Sequence, residues 1–202
     1  MKPIVICYPS KLAHETEAIN ALFSAGLQVL HLRKPTFKET DMVTFIDAID
    51  AAYHKNIVMH SHLSIVERKG LKGVHFTSYN RHLIDDYSHK SLPKSITVHS
   101  MSELINLSAA FSYALLSPVF ESISKEGYGP TIDHEVLKKY LTHEHEVPVL
   151  ALGGIDHKNV ETARKMGFDG VALHGYLWAQ FEKDHDIKTL VERYTMVAEK
   201  WQ

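Results

Sequence analysis

The stretch Ser117-Pro118-Val119-Phe120-Glu121-Ser122-Ile123-Ser124-Lys125 runs from an apolar strand pattern into two alternating hydroxyls and a lysine, just ahead of Gly127-Tyr128-Gly129-Pro130. Hydroxyl donors, backbone amides and an ammonium gathered in one loop suit a phosphate or pyrophosphate group. Further along, Val149-Leu150-Ala151-Leu152-Gly153-Gly154-Ile155 is a second apolar run that ends in paired glycines. There an anion could approach bare backbone N–H groups. Both strand ends point toward one anionic ligand.

These residues need a scaffold, and the composition bounds it. A chain of 202 residues, 45% apolar and 23% charged, is globular and long enough for one domain with a sizeable core, so residues 1–202 are read as a single domain. A formal charge of −2 supplies no basic field, which argues against nucleic acid as a partner. The one cysteine, Cys7, excludes an internal disulfide and suggests a reducing compartment. The chain starts on the strand pattern Pro3-Ile4-Val5-Ile6-Cys7-Tyr8, with no signal-type stretch and no run near the roughly 20 apolar residues of a membrane span. A cytoplasmic protein with no membrane partner is the expectation.

Short apolar runs at residues 3–8, 28–32, 56–60, 73–76, 95–99, 113–117, 148–152 and 169–173 read as strands. Helical patterns lie at 12–25, 38–54, 62–69, 101–110, 133–141 and 157–166, with a weaker one at 80–88 and a closing helix at 187–201. Such βα units joined by right-handed crossovers predict an α/β fold, a (β/α)8 TIM barrel. A doubly wound open sheet is the competing architecture, and the first strand lacks the glycine-rich turn of a dinucleotide binder. In a barrel, chemistry sits at the carboxyl ends of the strands. Those ends carry Tyr8, His31 with Arg33, His60 with His62, His75, His99, Ser117, Gly153 with Gly154, and His174 with Gly175. Of 15 histidines, five fall at separate strand ends, which together suggest a pocket for a polar or anionic ligand.

Five motifs in order resemble the thiamine-phosphate synthase and thiazole tautomerase superfamily of small (β/α)8 barrels, over essentially the whole chain. They are His31-Leu32-Arg33-Lys34-Pro35, Gly73-Val74-His75, Thr97-Val98-His99-Ser100 before Glu103, the loop Ser117–Lys125, and Ala151-Leu152-Gly153-Gly154-Ile155. The resemblance implies thiamine biosynthesis: a transferase joins a hydroxymethylpyrimidine diphosphate to a thiazole phosphate and releases pyrophosphate. Stabilising that leaving anion matters more than an acid or base. Arg33 and Lys125 then take the catalytic positions. Ser122 and Ser124 bind pyrophosphate, and Thr97 stands where a serine is usual. Gly153, Gly154 and the backbone around Gly175 match the thiazole phosphate site, and His31, His60, His99 and His174 complete the polar lining. The partners implied are phosphorylated pyrimidine and thiazole molecules, with a homodimer as the expected assembly.

Synthases of this superfamily hold Mg2+ with two Asp ligands, and the matching positions here are Ser61, after His60, and Asn80 in Thr77-Ser78-Tyr79-Asn80. No protein ligand for a metal is therefore assigned. Pro35 replaces a lysine, with Lys34 as a neighbouring substitute. Two alternatives stay open. Thiazole tautomerase-like proton transfer would use His31, His60, His99 or His174, although Pro118 stands at that branch's catalytic histidine position. The other is a non-catalytic phosphate-ligand binder. His60-Ser61-His62 also resembles the paired ligands of metal-dependent barrel hydrolases. Trp178 and Phe181 suit helix-to-barrel packing, Met42, Phe45 and Ile46 a buried helix stripe, and Glu144-His145-Glu146 a solvated turn. Tyr128 either closes over ligand or packs down.

Overall fold

The computed structural model describes residues 1–121, 129 and 132–202. Ser122, Ser124, Lys125 and Tyr128 lie outside the described residues. Eight strands, β1 (Ile4–Ile6), β2 (Leu30–Leu32), β3 (Ile57–Met59), β4 (Gly73–Phe76), β5 (Lys94–Val98), β6 (Tyr113–Leu116), β7 (Val149–Leu152) and β8 (Gly170–Leu173), pair in parallel in sequence order. β8 closes on β1, with Val5 level with Leu173, so the (β/α)8 barrel forms as expected. The runs are apolar on both faces because one face packs on helices and the other fills the barrel.

The helices are α1 (Glu15–Ser24), α2 (Glu39–Asp47), α3 (Ile65–Lys69), α4 (Met101–Ile105), α5 (His134–Leu141), α6 (Val160–Lys165), α7 (Gly175–Asp184) and α8 (Ile187–Trp201). Three departures from the sequence pattern have local causes. The 38–54 pattern divides at Asp50, whose side chain accepts from Ala52 N at 2.9 Å and starts a 3-10 turn at Ala51–Asn56. The 80–88 segment is two 3-10 turns, Arg81–Leu83 and Asp85–Tyr87. After β8 the chain forms α7 as well as α8. Trp178 and Phe181 are buried on α7, and the Trp178 indole donates to Ile6 O at 2.7 Å. That bond joins the last βα unit to the first strand.

Inside the barrel, alternation sets which residues meet. Ile4, Ile6, Val58, Leu115, Leu150 and Ala172 form the apolar filling. The register sets His75, Ser95 and Tyr113 abreast across β4, β5 and β6. His31, level with Ile6 and Val58, faces them. One part of the interior is therefore polar.

A buried ion pair ties β1, α1 and β2 together. Lys34 is 1% exposed, and its ammonium donates to Glu15 and to Ser10 O at 2.7 Å, with the Phe37 and Phe45 rings 5.3 and 4.7 Å away. Lys34 is thus a structural residue, and the substitution for the missing lysine at Pro35 is corrected: its side chain turns from the strand end into the helix layer. Burial pushes the Glu15 carboxyl up from 4.5 to about 7, against the pull of Lys34. A carboxyl raised on folding contributes stability that is complete below its unfolded pKa and lost as pH rises through about 7. At pH 8 the Glu15 carboxyl is ionised and depends on its contact with Lys34. Lys34→Ala should then lower the unfolding free energy by about 3–5 kcal/mol. The loss should shrink below pH 7 as Glu15 takes a proton, and Glu15→Leu with Lys34→Met should recover most of it. Urea titrations at pH 5 and pH 8 check both statements.

Candidate functional site

A cavity of about 600 Å³ opens among the carboxyl ends of the strands. Its wall takes Ile6 from β1, Arg33 after β2, His60 after β3, Thr77–Tyr79 after β4, and Thr97 and His99 from β5 and its loop. Ser117 follows β6, Leu152–Ile155 come from β7 and its turn, and Ala172 and His174–Tyr176 from β8 and the start of α7. Among these described lining residues there is no carboxylate, and Arg33 is the permanent cation. The field inside favours an anion.

Arg33 is placed by a backbone clamp. Its N–H donates to Cys7 Sγ at 3.0 Å, and the Cys7 thiol donates back to Arg33 O at 3.3 Å. Burial pushes that thiol up to about 12, so it remains S–H and acts as a strand-end brace. At β7 the chain turns through two positive φ angles, 96° at Gly153 and 66° at Gly154. A Cβ at Gly154 would lie 2.2 Å from Glu121 O. Only glycine fits this approach. Phe120 N donates to Gly153 O at 3.1 Å and Asn159 Nδ2 to Gly154 O at 2.7 Å, which fixes the turn. Gly175 opens α7, whose leading N–H groups lack helical acceptors and carry the positive end of its dipole. The glycine pair and this helix start both line the cavity, and backbone N–H groups in such positions suit an anion.

The β5 side is braced by ionic and polar contacts. Arg81 Nη2 donates to Thr97 O at 2.7 Å, and Arg81 pairs with Glu103 at 2.6 Å. Glu103 accepts from His99 N at 2.6 Å, while Ser100 Oγ accepts from Glu103 N at 3.2 Å. The Thr97–Glu103 motif is thus a reciprocal loop lock. His99 Nδ1 donates to Ser117 O at 2.7 Å and aligns the imidazole with the β6 end.

Beneath the wall lies a hydrogen-bonded network. His31 Nδ1 meets His60 Nε2 at 2.8 Å, and His31 Nε2 meets the Tyr113 hydroxyl at 2.5 Å. His75 bonds Ser95 Oγ through Nδ1 and Thr97 Oγ1 through Nε2, both at 2.8 Å. The three imidazole rings stand 4.2 to 5.1 Å apart by centroid. Burial drives His31 down to about 3. Burial also holds His60 and His75 well below 6.5, with Arg33 and the neighbouring rings adding to the effect. The rings are neutral at physiological pH.

The cavity brings together Arg33, His60, Thr97, His99, Gly153, Gly154, His174 and Gly175 from the sequence candidates. His31 is placed elsewhere: it is fully buried inside the barrel and reaches the cavity through His60. His62 Nε2 bonds Phe37 O at 2.9 Å and does not join His60 in a ligand pair, so the hydrolase-like reading fails on geometry. Ser95 and Tyr113 were missed, although the alternation Ser95-Ile96-Thr97 places two hydroxyls on the interior face. Magnesium does not fit the described residues. Asn80 Oδ1 accepts from Thr77 N at 2.6 Å, and its Nδ2 donates to the carbonyls of His60 and His75, each at 3.0 Å. The amide is committed to bracing the loop. Ser61 Oγ is enclosed, and the described lining offers a hard cation no carboxylate.

The family model described as thiamine monophosphate synthase matches residues 4–177. A thiamine-phosphate synthase from Dictyoglomus thermophilum is 24% identical over 187 residues, covering 88% of this chain and 83% of that protein. A thiamine phosphate pyrophosphorylase structure from Bacteroides thetaiotaomicron superposes with a TM-score of 0.83 at 29% identity, over 99% of this chain and 97% of the other. The Pyrococcus furiosus thiamine phosphate pyrophosphorylase gives 0.78 at 18% identity, over 100% and 97%, a likeness of fold.

The neutral histidines predict acid sensitivity. A ring whose folded pKa is depressed contributes stability that is present above its unfolded value near 6.5 and lost as pH falls toward the folded pKa. In EDTA-treated protein the unfolding free energy should fall between pH 7 and pH 4.5. His75→Gln should remove about one proton, or ~1.4 kcal/mol per pH unit, from that slope near pH 5. Urea unfolding across this range is the measurement.

Proposed function

Because the chain belongs to the thiamine monophosphate synthase family, we propose that its cavity couples a hydroxymethylpyrimidine diphosphate to a thiazole phosphate, with the 202 residues acting as one domain. The bond from the pyrimidine methylene to the diphosphate oxygen breaks, and the thiazole nitrogen forms the new C–N bond. Pyrophosphate leaves with the electron pair of the broken bond. The observation that carries this reading is a cavity without a carboxylate among its described lining residues, with Arg33 at one part of the wall and the Gly153-Gly154/α7 cradle at another. Two anionic ends of a substrate pair are accommodated separately.

The cradle receives the thiazole phosphate on backbone N–H groups. Arg33 faces the diphosphate, and the sequence motif assigns Ser122, Ser124 and Lys125 to the same anion. Thr97, His60, His99 and His174 supply polar contacts along the wall. Synthases of this family are generally magnesium-dependent. The described donors of this chain do not fit that ion, so the charge of the leaving group falls to Arg33 and Lys125.

Thiamine phosphate formation from the two phosphorylated substrates, measured with magnesium or with chelator, tests the assignment. Arg33→Ala and Lys125→Ala should each lower kcat/KM by about 10²–10³-fold, the loss typical of one oxyanion donor. Turnover should depend on magnesium far less than the carboxylate-bearing pattern implies. Absence of turnover from folded protein that still binds thiazole phosphate would sink the synthase reading and leave a phosphate-ligand binder.

A further inference from the structure

The interior of a (β/α)8 barrel is ordinarily filled by branched apolar side chains. Here three imidazoles, from β2, from the residue just after β3 and from β4, cluster at its upper end, each at least nine-tenths buried. His31, His60 and His75 each present one ring nitrogen such that the three lie within 4.8 Å of one another. His60 Nδ1 is enclosed and has no hydrogen-bond partner among the described residues. Nε2, which meets His31 Nδ1 at 2.8 Å, is therefore the nitrogen that His60 brings to the cluster.

We propose that His31, His60 and His75 form a binding site for one divalent transition-metal ion of the zinc class, set in the barrel beneath the phosphate cavity. Three imidazoles without a carboxylate select zinc, cobalt, nickel or copper over magnesium and calcium. Two nitrogens on one tetrahedral zinc stand about 3.3 Å apart for bonds of about 2.0–2.1 Å. The 2.8 Å contact between His31 and His60 therefore opens by about half an ångström as the ion replaces the proton between them. His31 then ligates through Nδ1 while its Nε2–H donates to Tyr113, the outer-shell bond that fixes a ligating imidazole. His75 releases one of its two hydroxyl partners, Ser95 or Thr97, and keeps the other in the same role. Three protein ligands leave a coordination position for a water or a ligand oxygen. Because His60 also lines the cavity, the ion lies next to the space where an anion binds. The site uses none of the positions that resemblance assigns to magnesium, and it stands whether or not the chain is a synthase.

The experiment uses full-length protein stripped with EDTA and dialysed, then titrated with Co2+ and followed by visible absorption, with metal content after Zn2+ loading read by mass spectrometry. One equivalent per chain is expected, with d–d bands of a four- or five-coordinate cobalt site that Zn2+ abolishes and excess Mg2+ leaves unchanged. His31→Gln and His75→Gln should eliminate the bands, and His62→Gln should retain them. Tyr113→Phe leaves all three ligands in place and should weaken Co2+ affinity about 10–100-fold, the effect of removing an outer-shell partner. It keeps the test decisive if a ligand variant fails to fold. Absence of bound metal and bands would overturn the proposal and identify the trio as a hydrogen-bonded filling. Bands that persist in His75→Gln, or that His62→Gln removes equally, would overturn it too.

Discussion

The polar half of the barrel interior is the constraint on which the rest of this structure depends. A buried imidazole or hydroxyl must find partners inside the barrel, because water does not reach it there. His75 can satisfy both ring nitrogens only if β5 presents Ser95 and Thr97 at adjacent interior levels, which the pairing of His75 with Ser95 provides. Tyr113 can reach His31 across the barrel only from the level it takes beside Ser95. A one-residue slip of β5 would reverse its alternation and strand the imidazole. The apolar half, with Ile4, Leu150 and Ala172, tolerates exchange of shape more readily because it asks only for volume. Register is thus specified most strongly on the polar side of the interior.

The same network reaches the cavity wall. Thr97 serves His75 with its side chain and Arg81 with its carbonyl, and Arg81 carries the constraint to Glu103 and on to His99. The β3 and β4 ends are linked through Asn80, which donates to the carbonyls of both His60 and His75. Rim groups held this way are fixed by partners of their own before any ligand is present. Preorganised donors acting in a site of low polarity are what make charge stabilisation effective. The opposite arc reaches rigidity by another route, through positive φ angles and close backbone approach at Gly153 and Gly154.

Much of this was legible in the sequence because strands of a closed parallel barrel are short apolar runs, and all eight are visible as such. Strand-end reading located Arg33, His60, His99, Gly153 and His174 at one cavity, and the family resemblance added Thr97. What it misjudged follows from direction rather than position. His31 precedes Arg33 by two residues, yet it points into the barrel below the cavity, because a residue on the strand proper is one layer deeper than a residue just past it. Ser95 and Tyr113 lie at the starts of β5 and β6, where residue type alone does not tell an interior hydroxyl from one facing the helices. The start of α7 was hidden because Gly175-Tyr176-Leu177 continues the apolar character of β8. The 3-10 turns after β4 appeared as a weak helix because their apolar spacing of three to four residues suits either form.

Lys34 shows why residue type near a motif is a weaker guide than the face on which it lies. One residue after Arg33, it turns to the helix layer, where Glu15, Ser10 and two aromatic rings enclose its ammonium. Its charge is committed there, since leaving Glu15 alone in that environment would expose the full cost of an uncompensated buried carboxylate. Of two adjacent cations at the end of β2, one therefore serves the cavity and the other the scaffold. Arg33 keeps its place through the Cys7 clamp, which holds the backbone at both N–H and carbonyl while the residue lines the cavity. A planar guanidinium matches two phosphate oxygens at once, whereas an ammonium acts as a point charge. With Arg33 the permanent cation of the described wall, the proposed diphosphate would ask for a second one, a role the proposed coupling gives to Lys125, which lies outside the described residues.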